Sequence, residues 1–275
     1  MKFEIEKKDK VKQFALIFRH AKLLCENVNM YLSDTGLYIQ GMTSCHTSLF
    51  ELKISKEWFS MYECDRDKII GVNCELLFKC LNCLQEGQTI IASHQKDRLN
   101  LQFKGGSGDF EIMYAMPLIT IDEECLSVPE SDYDSDIIIN SNKFSELIHN
   151  LSLFGENIRM KCINTEEDSS FTMYANDITT GNMEINIKEE NMVEWSSIDE
   201  LNLNLLFSIE HLKNICQFSK LNQNIHIGLS GELPLKISYS LSGWIDGLHN
   251  EGEESEGERE AKNIITFFVA PKIED

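Results

Sequence analysis

An internal repeat constrains this chain more than any other feature. Phe14, Ile17, Phe18, Ala21 and Leu24 recur as Phe144, Leu147, Ile148, Leu151 and Phe154, each 130 residues on, and Met30 recurs as Met160 at the same offset. A second unit follows, in which Leu77, Cys80 and Leu81 recur as Leu212, Ile215 and Cys216, 135 residues on. Apolar residues at i, i+3 and i+4 mark one face of a helix. Just beyond, Leu99, Leu101 and Phe103 alternate in the manner of Leu235, Ile237 and Tyr239, and period-two alternation marks strands. Each half therefore reads helix, strands, helix, strands. The expectation is two similar domains of α+β class, with helices over residues 8–24, 73–85, 141–154 and 208–220.

The domains are expected at 1–117 and 137–275. Between them, 118–136 (LITIDEECLSVPESDYDSD) is acidic, carries spaced apolar residues and has Pro129 as a breaker, so it reads as an extended connecting loop. Residues 243–262 (GWIDGLHNEGEESEGEREAK) form an insertion rich in Gly and Glu between two strand-like runs, expected to be a solvated acidic loop. The longest apolar runs fall short of a membrane span. The opening MKFEIEKKDK lacks the apolar stretch of a secretory signal.

Charge is distributed unevenly. The formal net charge is −20, which argues against a protein coated by nucleic acid. Yet the four helical segments hold nine cations (Lys8, Lys10, Lys12, Arg19, Lys22, Lys79, Lys143, Lys213 and Lys220) against four acids (Asp9, Glu75, Glu146 and Glu210), a balance of +5 that leaves −25 on the rest. On the first helix, Lys8, Lys12, Arg19 and Lys22 form one stripe, and Val11, Phe14, Phe18, Ala21 and Cys25 form another. One stripe is suited to packing on sheets and the other to facing an anion.

Catalysis is not expected. Cys45-His46 is the only adjacent nucleophile–base pair, and neighbours in an extended strand point to opposite faces. Neither a phosphate-binding Gly loop nor a zinc-protease motif is present. The nine cysteines, an odd number without a secretion signal, read as free thiols. Cys80-x-x-Cys83 lies in an apolar stretch without a second pair, so it reads as buried thiols rather than a zinc site. No metal or cofactor is expected.

Four longer words are more specific: GLYIQGMTSCHTSLFEL (36–52), MYECDRDKIIGVN (61–73), SVPESDYDSDIIINSNKFSEL (127–147) and the ending FFVAPKIED (267–275). In this order they resemble the sliding clamp family, which includes the proliferating cell nuclear antigens of eukaryotes and large DNA viruses. The resemblance covers nearly the whole chain outside the 243–262 insertion. It implies the DNA clamp fold: two similar domains, each with two helices packed on antiparallel β-sheets, three subunits closing into a ring around duplex DNA. It implies a homotrimeric polymerase processivity factor, at work in the nucleus or at a viral replication site. DNA polymerase, clamp loader, flap nuclease and ligase would dock through short PIP-box peptides, with no membrane involved. Candidate DNA-facing residues are Lys12, Arg19, Lys22, Lys79, Lys143, His149, Lys213 and Lys220. The partner-peptide pocket maps to Met42, His46, Leu49, Leu126, Val128, Pro129, Tyr133, Pro234, Phe268, Ala270, Pro271 and Ile273. The runs Asp109–Met116 and Tyr174–Ile185 correspond to interface strands, with Phe110, Ile112, Tyr114, Ile178 and Met183 as interface residues. Ala15, Leu16, Glu146, Leu153 and Gln217 depart from the family, standing where members often carry basic residues. Asn164 stands where many carry a modifiable lysine. The alternative reading is a subunit of a heterotrimeric checkpoint-type clamp, or a diverged clamp-like factor acting as monomer or dimer.

Overall fold

The computed structural model describes residues 1–106, 110–122, 125–128, 131–242 and 263–273. Asp109, Pro129 and the 243–262 insertion lie outside these residues. The first half of the chain runs β1 (Lys2–Ile5), α1 (Lys8–Ala21), β2 (Asn27–Leu32), β3 (Gly36–Met42), β4 (Ser48–Ser55), a 3₁₀ turn, β5 (Met61–Glu63), β6 (Lys68–Asn73), α2 (Cys74–Leu81), β7 (Gln88–Gln95), β8 (Arg98–Gly105) and β9 (Ile112–Pro117). The second half runs β10 (Ser135–Asn140), α3 (Ser141–Leu151), β11 (Asn157–Asn164), β12 (Ser169–Asp177), β13 (Gly181–Ile187), a 3₁₀ turn, β14 (Glu194–Ser197), β15 (Leu201–Ser208), α4 (Ile209–Cys216), β16 (Asn224–Leu229), β17 (Leu235–Ser240) and β18 (Asn263–Val269). The two orders are identical, element for element.

The pairings repeat as well. In the first half β1 pairs antiparallel with β5 and β7, β7 with β8, and β8 with β9. In the second, β10 pairs with β14 and β16, and β16 with β17, with β18 next in order. The other sheet order, β6-β2-β3-β4, has its counterpart in β15-β11-β12-β13. Met30 on β2 faces Ile70 and Ile39, and Met160 on β11 faces Leu205 and Met173. By topology, then, β9 corresponds to β18 and β13 to β4.

The chain divides into two compact units: Met1–Ser44, Glu51–Cys125 and Ser240–Ile265 in one, and Cys45–Phe50, Leu126–Tyr239 and Thr266–Asp275 in the other. Within the first, the Ser55 N–H donates to Asn263 Oδ1 at 2.9 Å. Within the second, the Ala270 N–H donates to the Thr47 carbonyl at 2.9 Å. The ends of β4 and β18 thus run side by side inside each unit.

The repeated apolar residues form the cores. Phe14, Ile17, Phe18, Ala21, Leu24, Leu77, Cys80 and Leu81 are buried in the first unit, and Phe144, Ile148, Leu151, Leu212, Ile215 and Cys216 in the second. Each fully buried Leu, Ile or Phe among them contributes about 1.5–3 kcal/mol. In the first unit Phe3 packs tilted against Phe59, and Phe14 against Phe18, each with centroids 4.9 Å apart. In the second, Phe218 meets Phe267 at 4.9 Å.

The helices end earlier than their apolar periodicity predicts. After Ala21 the N–H groups of Leu23 and Leu24 bond three residues back, to His20 and Ala21, and after Cys216 those of Gln217, Phe218 and Ser219 do likewise. The chain keeps winding, but with tighter i→i+3 turns. Lys220 therefore lies in the turn beyond α4. Three helices start directly from a strand. Asn73 Oδ1 accepts the Leu76 N–H at 2.9 Å and Asn140 Oδ1 accepts the Lys143 N–H at 3.0 Å, satisfying orphan donors of α2 and α3.

No disulfide joins the cysteines among the described residues. Cys80 is buried as expected, but Cys83 is exposed. It falls past the end of α2, where its Sγ donates to the Lys79 carbonyl, so the apolar periodicity no longer fixes its direction.

Candidate nucleic-acid interface

The first unit presents its cations from α1, α2 and the turn after α1. Val11, Phe14, Ile17, Phe18 and Ala21 are buried on α1, which leaves Lys8, Lys12 and Arg19 exposed on the remaining face. Lys10 faces elsewhere. Its ammonium lies 5.0 Å from the centroid of Trp58, donates to the Trp58 carbonyl, and has its pKa lowered by burial.

Not all the exposed cations are free. Lys8 Nζ is 2.6 Å from Glu86 Oε1, a hydrogen-bonded ion pair that raises the lysine pKa and lowers that of the carboxyl. Lys22 Nζ lies 3.2 Å from Glu75 Oε2 and 3.6 Å from the centroid of the Phe78 ring. The other Glu75 oxygen is 3.7 Å from Lys79 Nζ, one helical turn on. By contrast, Lys12 and Arg19 carry no ion-pair partner within 4.0 Å among the described residues.

In the second unit, α3 exposes Lys143 and His149, α4 exposes Lys213, and the turn beyond exposes Lys220. Lys143 Nζ donates to Asn191 Oδ1 at 3.2 Å, a neutral partner. Glu146, Leu153 and Gln217 are exposed on the same elements, so three of the departures from the family lie at the surface; Ala15 and Leu16 are half-buried. Exposed ammonium and guanidinium groups on helix faces suit phosphate contact, which positions a duplex without reading bases. Among the described residues no group of three or more His, Cys, Asp or Glu is placed to hold a metal ion. None of the described helices is long and apolar enough to cross a membrane.

Most of the expected partner pocket falls in the second unit. The Tyr133 hydroxyl donates to the Pro234 carbonyl at 3.1 Å, and its ring lies against Gly228, where a Cβ would come within 2.8 Å of ring carbons. Lys236 Nζ sits 5.4 Å from the ring centroid. Burial, then the Asp136 carboxylate, pushes the Tyr133 phenol up to about 12. Past β18, the Ala270 N–H is held by Thr47 and the Lys272 N–H donates to the Leu206 carbonyl at 2.7 Å. This anchoring holds Pro271 and Ile273 at the surface, with Ile273 93% exposed. Leu126 is exposed, while Leu49, Val128, Pro234 and Phe268 are half-buried. His46 is exposed with a left-handed φ of 55°. Met42 is half-buried at the end of β3, in the first unit.

The expected interface residues lie on or next to terminal strands. β9 ends one sheet order and β13 another. Ile112 and Tyr114 on β9, and Met183 on β13, are half-buried; Phe110, just before β9, and Ile178, in the turn joining β12 to β13, are exposed. The Tyr114 phenol is pushed up to about 12, first by its hydrogen bond with Cys83 and next by burial.

Sequence reasoning missed Glu75 as the residue joining Lys22 to Lys79. Half of that arrangement was readable, because Glu75 and Lys79 stand four apart on a helix. The Lys22 contact joins segments more than fifty residues apart and left no local signal.

The duplicated α+β plan defines a two-domain clamp fold. The profile described as "Proliferating cell nuclear antigen, N-terminal domain" matches residues 6–125, and that described as "Proliferating cell nuclear antigen, C-terminal domain" matches residues 127–246. The chain therefore belongs to the proliferating cell nuclear antigen family, the sliding clamps. It is 31% identical over 261 residues to the proliferating cell nuclear antigen of Chaetomium thermophilum, with 92% of each chain covered. It is 24% identical over 273 residues to proliferating cell nuclear antigen 2 of Plasmodium falciparum, covering 95% of this chain and 96% of that one.

Proposed function

We propose that three copies of this chain close head to tail into a ring that encircles duplex DNA, tethers a DNA polymerase and docks other replication and repair enzymes. The observation that carries the ring is topological. β4 and β18 are neighbours, and their counterparts in the repeat, β13 and β9, are terminal strands of their sheets. An unpaired edge is a template for another chain. Pairing β9 of one copy with β13 of the next would repeat the β18–β4 relationship and leave neither edge open. A head-to-tail contact of this kind gives a ring when the rotation from copy to copy closes, and an open filament when it does not.

The cations Lys12, Arg19, Lys22, Lys79, Lys143, His149, Lys213 and Lys220, on the helices and the turns that follow them, would line the face toward the phosphates, with Lys22 half-buried. Such contacts carry no sequence information and permit sliding. Three copies would total −60, and that charge disfavours DNA on the rest of the surface. The apolar groups around Tyr133, Pro234, Phe268 and Ile273, with acidic residues nearby, suit short peptides bearing aromatic and basic side chains, the means by which polymerase, loader, flap nuclease and ligase would dock. The protein would act in the nucleus or at a viral replication site, without an enzymatic step of its own. The test is retention on DNA. Loaded protein should stay on a nicked circular plasmid and leave when the plasmid is linearised; equal loss from both forms contradicts encirclement.

A further inference from the structure

Resting on the reading of the helix cations as phosphate contacts, we infer that Glu75 is an internal stand-in for phosphate that holds Lys22 and Lys79 back and thereby sets how tightly the ring grips DNA. The geometry is specific. One carboxylate engages two ammonium groups, Lys22 at 3.2 Å through Oε2 and Lys79 at 3.7 Å through Oε1. Lys22 is further fixed by the face of Phe78, 3.6 Å from its Nζ, a favourable position for a cation. As a result its side chain is only 27% exposed.

A phosphate oxygen approaching Lys22 or Lys79 must displace a carboxylate oxygen of the same charge type. Little is gained by that exchange, and the like charge of Glu75 stays beside the incoming phosphate. Arg19 on the neighbouring helix carries no ion pair among the described residues, and Lys12 feels Glu86 only from beyond ion-pair distance, that carboxylate being hydrogen-bonded to Lys8. DNA contact from this unit therefore falls chiefly to α1, and Glu75 keeps two further cations in reserve. A clamp that must slide benefits from weak contacts, and one carboxylate supplies that weakness without removing a lysine.

The experiment is Glu75→Gln in the full chain, which keeps the side-chain shape and removes the charge. The control is Glu4→Gln, which changes net charge equally but releases Lys2, its partner at 2.8 Å on β1. Binding to a short duplex is measured by fluorescence anisotropy from about 50 to 200 mM salt. Glu75→Gln should tighten binding about 3- to 10-fold at the low end, the scale of two weak surface pairs released. It should also steepen the plot of log affinity against log salt by about 0.9 for each additional phosphate that the freed lysines neutralise. A tightening no larger than that of Glu4→Gln, or none at all, overturns the inference. Arg19→Glu, measured alongside, separates the two levels. If it weakens binding while Glu75→Gln changes nothing, only this inference fails; if it leaves binding intact, the reading of the helices fails. Thermal melts show that each variant is folded, and Glu75→Ala repeats the arm should glutamine disturb the first turn of α2.

Discussion

The Tyr133 hydroxyl donates to the carbonyl of Pro234 at 3.1 Å, tying the start of the second unit's sheet to the turn before β17 across 101 residues of sequence. The same ring covers Gly228 and lies under Lys236. Two residues assigned to the partner surface are thus held by one hydrogen bond. Tyr133→Phe should cost about 1 kcal/mol of stability in denaturant melts, the usual net worth of one hydrogen bond, and should weaken an aromatic-bearing peptide in calorimetry less than Tyr133→Ala does. A peptide that binds Tyr133→Ala as tightly as the parent removes this surface from the docking site.

Alkaline pH tests the same residue differently. The folded phenol is raised to about 12 by burial and Asp136, against about 10 in an unfolded chain. A raised pKa means that the contribution is intact below pH 10 and is lost as pH rises toward 12. The parent protein should therefore lose stability relative to Tyr133→Phe across that window. Parallel curves would show that the phenol ionises freely.

The strand-to-helix joints predict a second stability effect. Asn73 and Asn140 each cap the helix that follows. Asn73→Ala and Asn140→Ala should each destabilise by about 1 kcal/mol. Ser208, which precedes α4, makes no side-chain cap, so Ser208→Ala should change the melting midpoint far less.

Ile178 gives a test of assembly that does not disturb the chain itself. It sits fully exposed in the turn before β13, so Ile178→Asp should shift the melt of an isolated subunit by no more than about 0.5 kcal/mol. In the proposed ring it meets the next copy, and the variant should dissociate at protein concentrations where the parent stays assembled. Analytical ultracentrifugation reads both.

The repeat could be read in the sequence because a buried helix stripe and a buried strand face have fixed periods, and Phe14, Phe18, Leu77 and Leu81 keep those periods in both halves. The short strands β1, β5, β10 and β14 had no such signal. They run three to six residues, too short for alternation to stand out, and the long-range pairing that defines them is invisible locally. Helix ends were overrun because the i→i+3 turns after Ala21 and Cys216 keep apolar residues such as Leu24 and Phe218 facing inward. The cationic stripe of α1 was legible, since Lys12 and Arg19 oppose Phe14 and Phe18 on one helix. Which of those cations are neutralised was not, because Glu75 reaches Lys22 from another helix and Glu86 reaches Lys8 from a loop.

The most direct test of the central claim is the native mass of the purified chain at micromolar concentration, by native mass spectrometry or light scattering. The subunit mass is 31.6 kDa. A closed three-copy ring predicts a single species of three times that mass; a species at the subunit mass alone contradicts it.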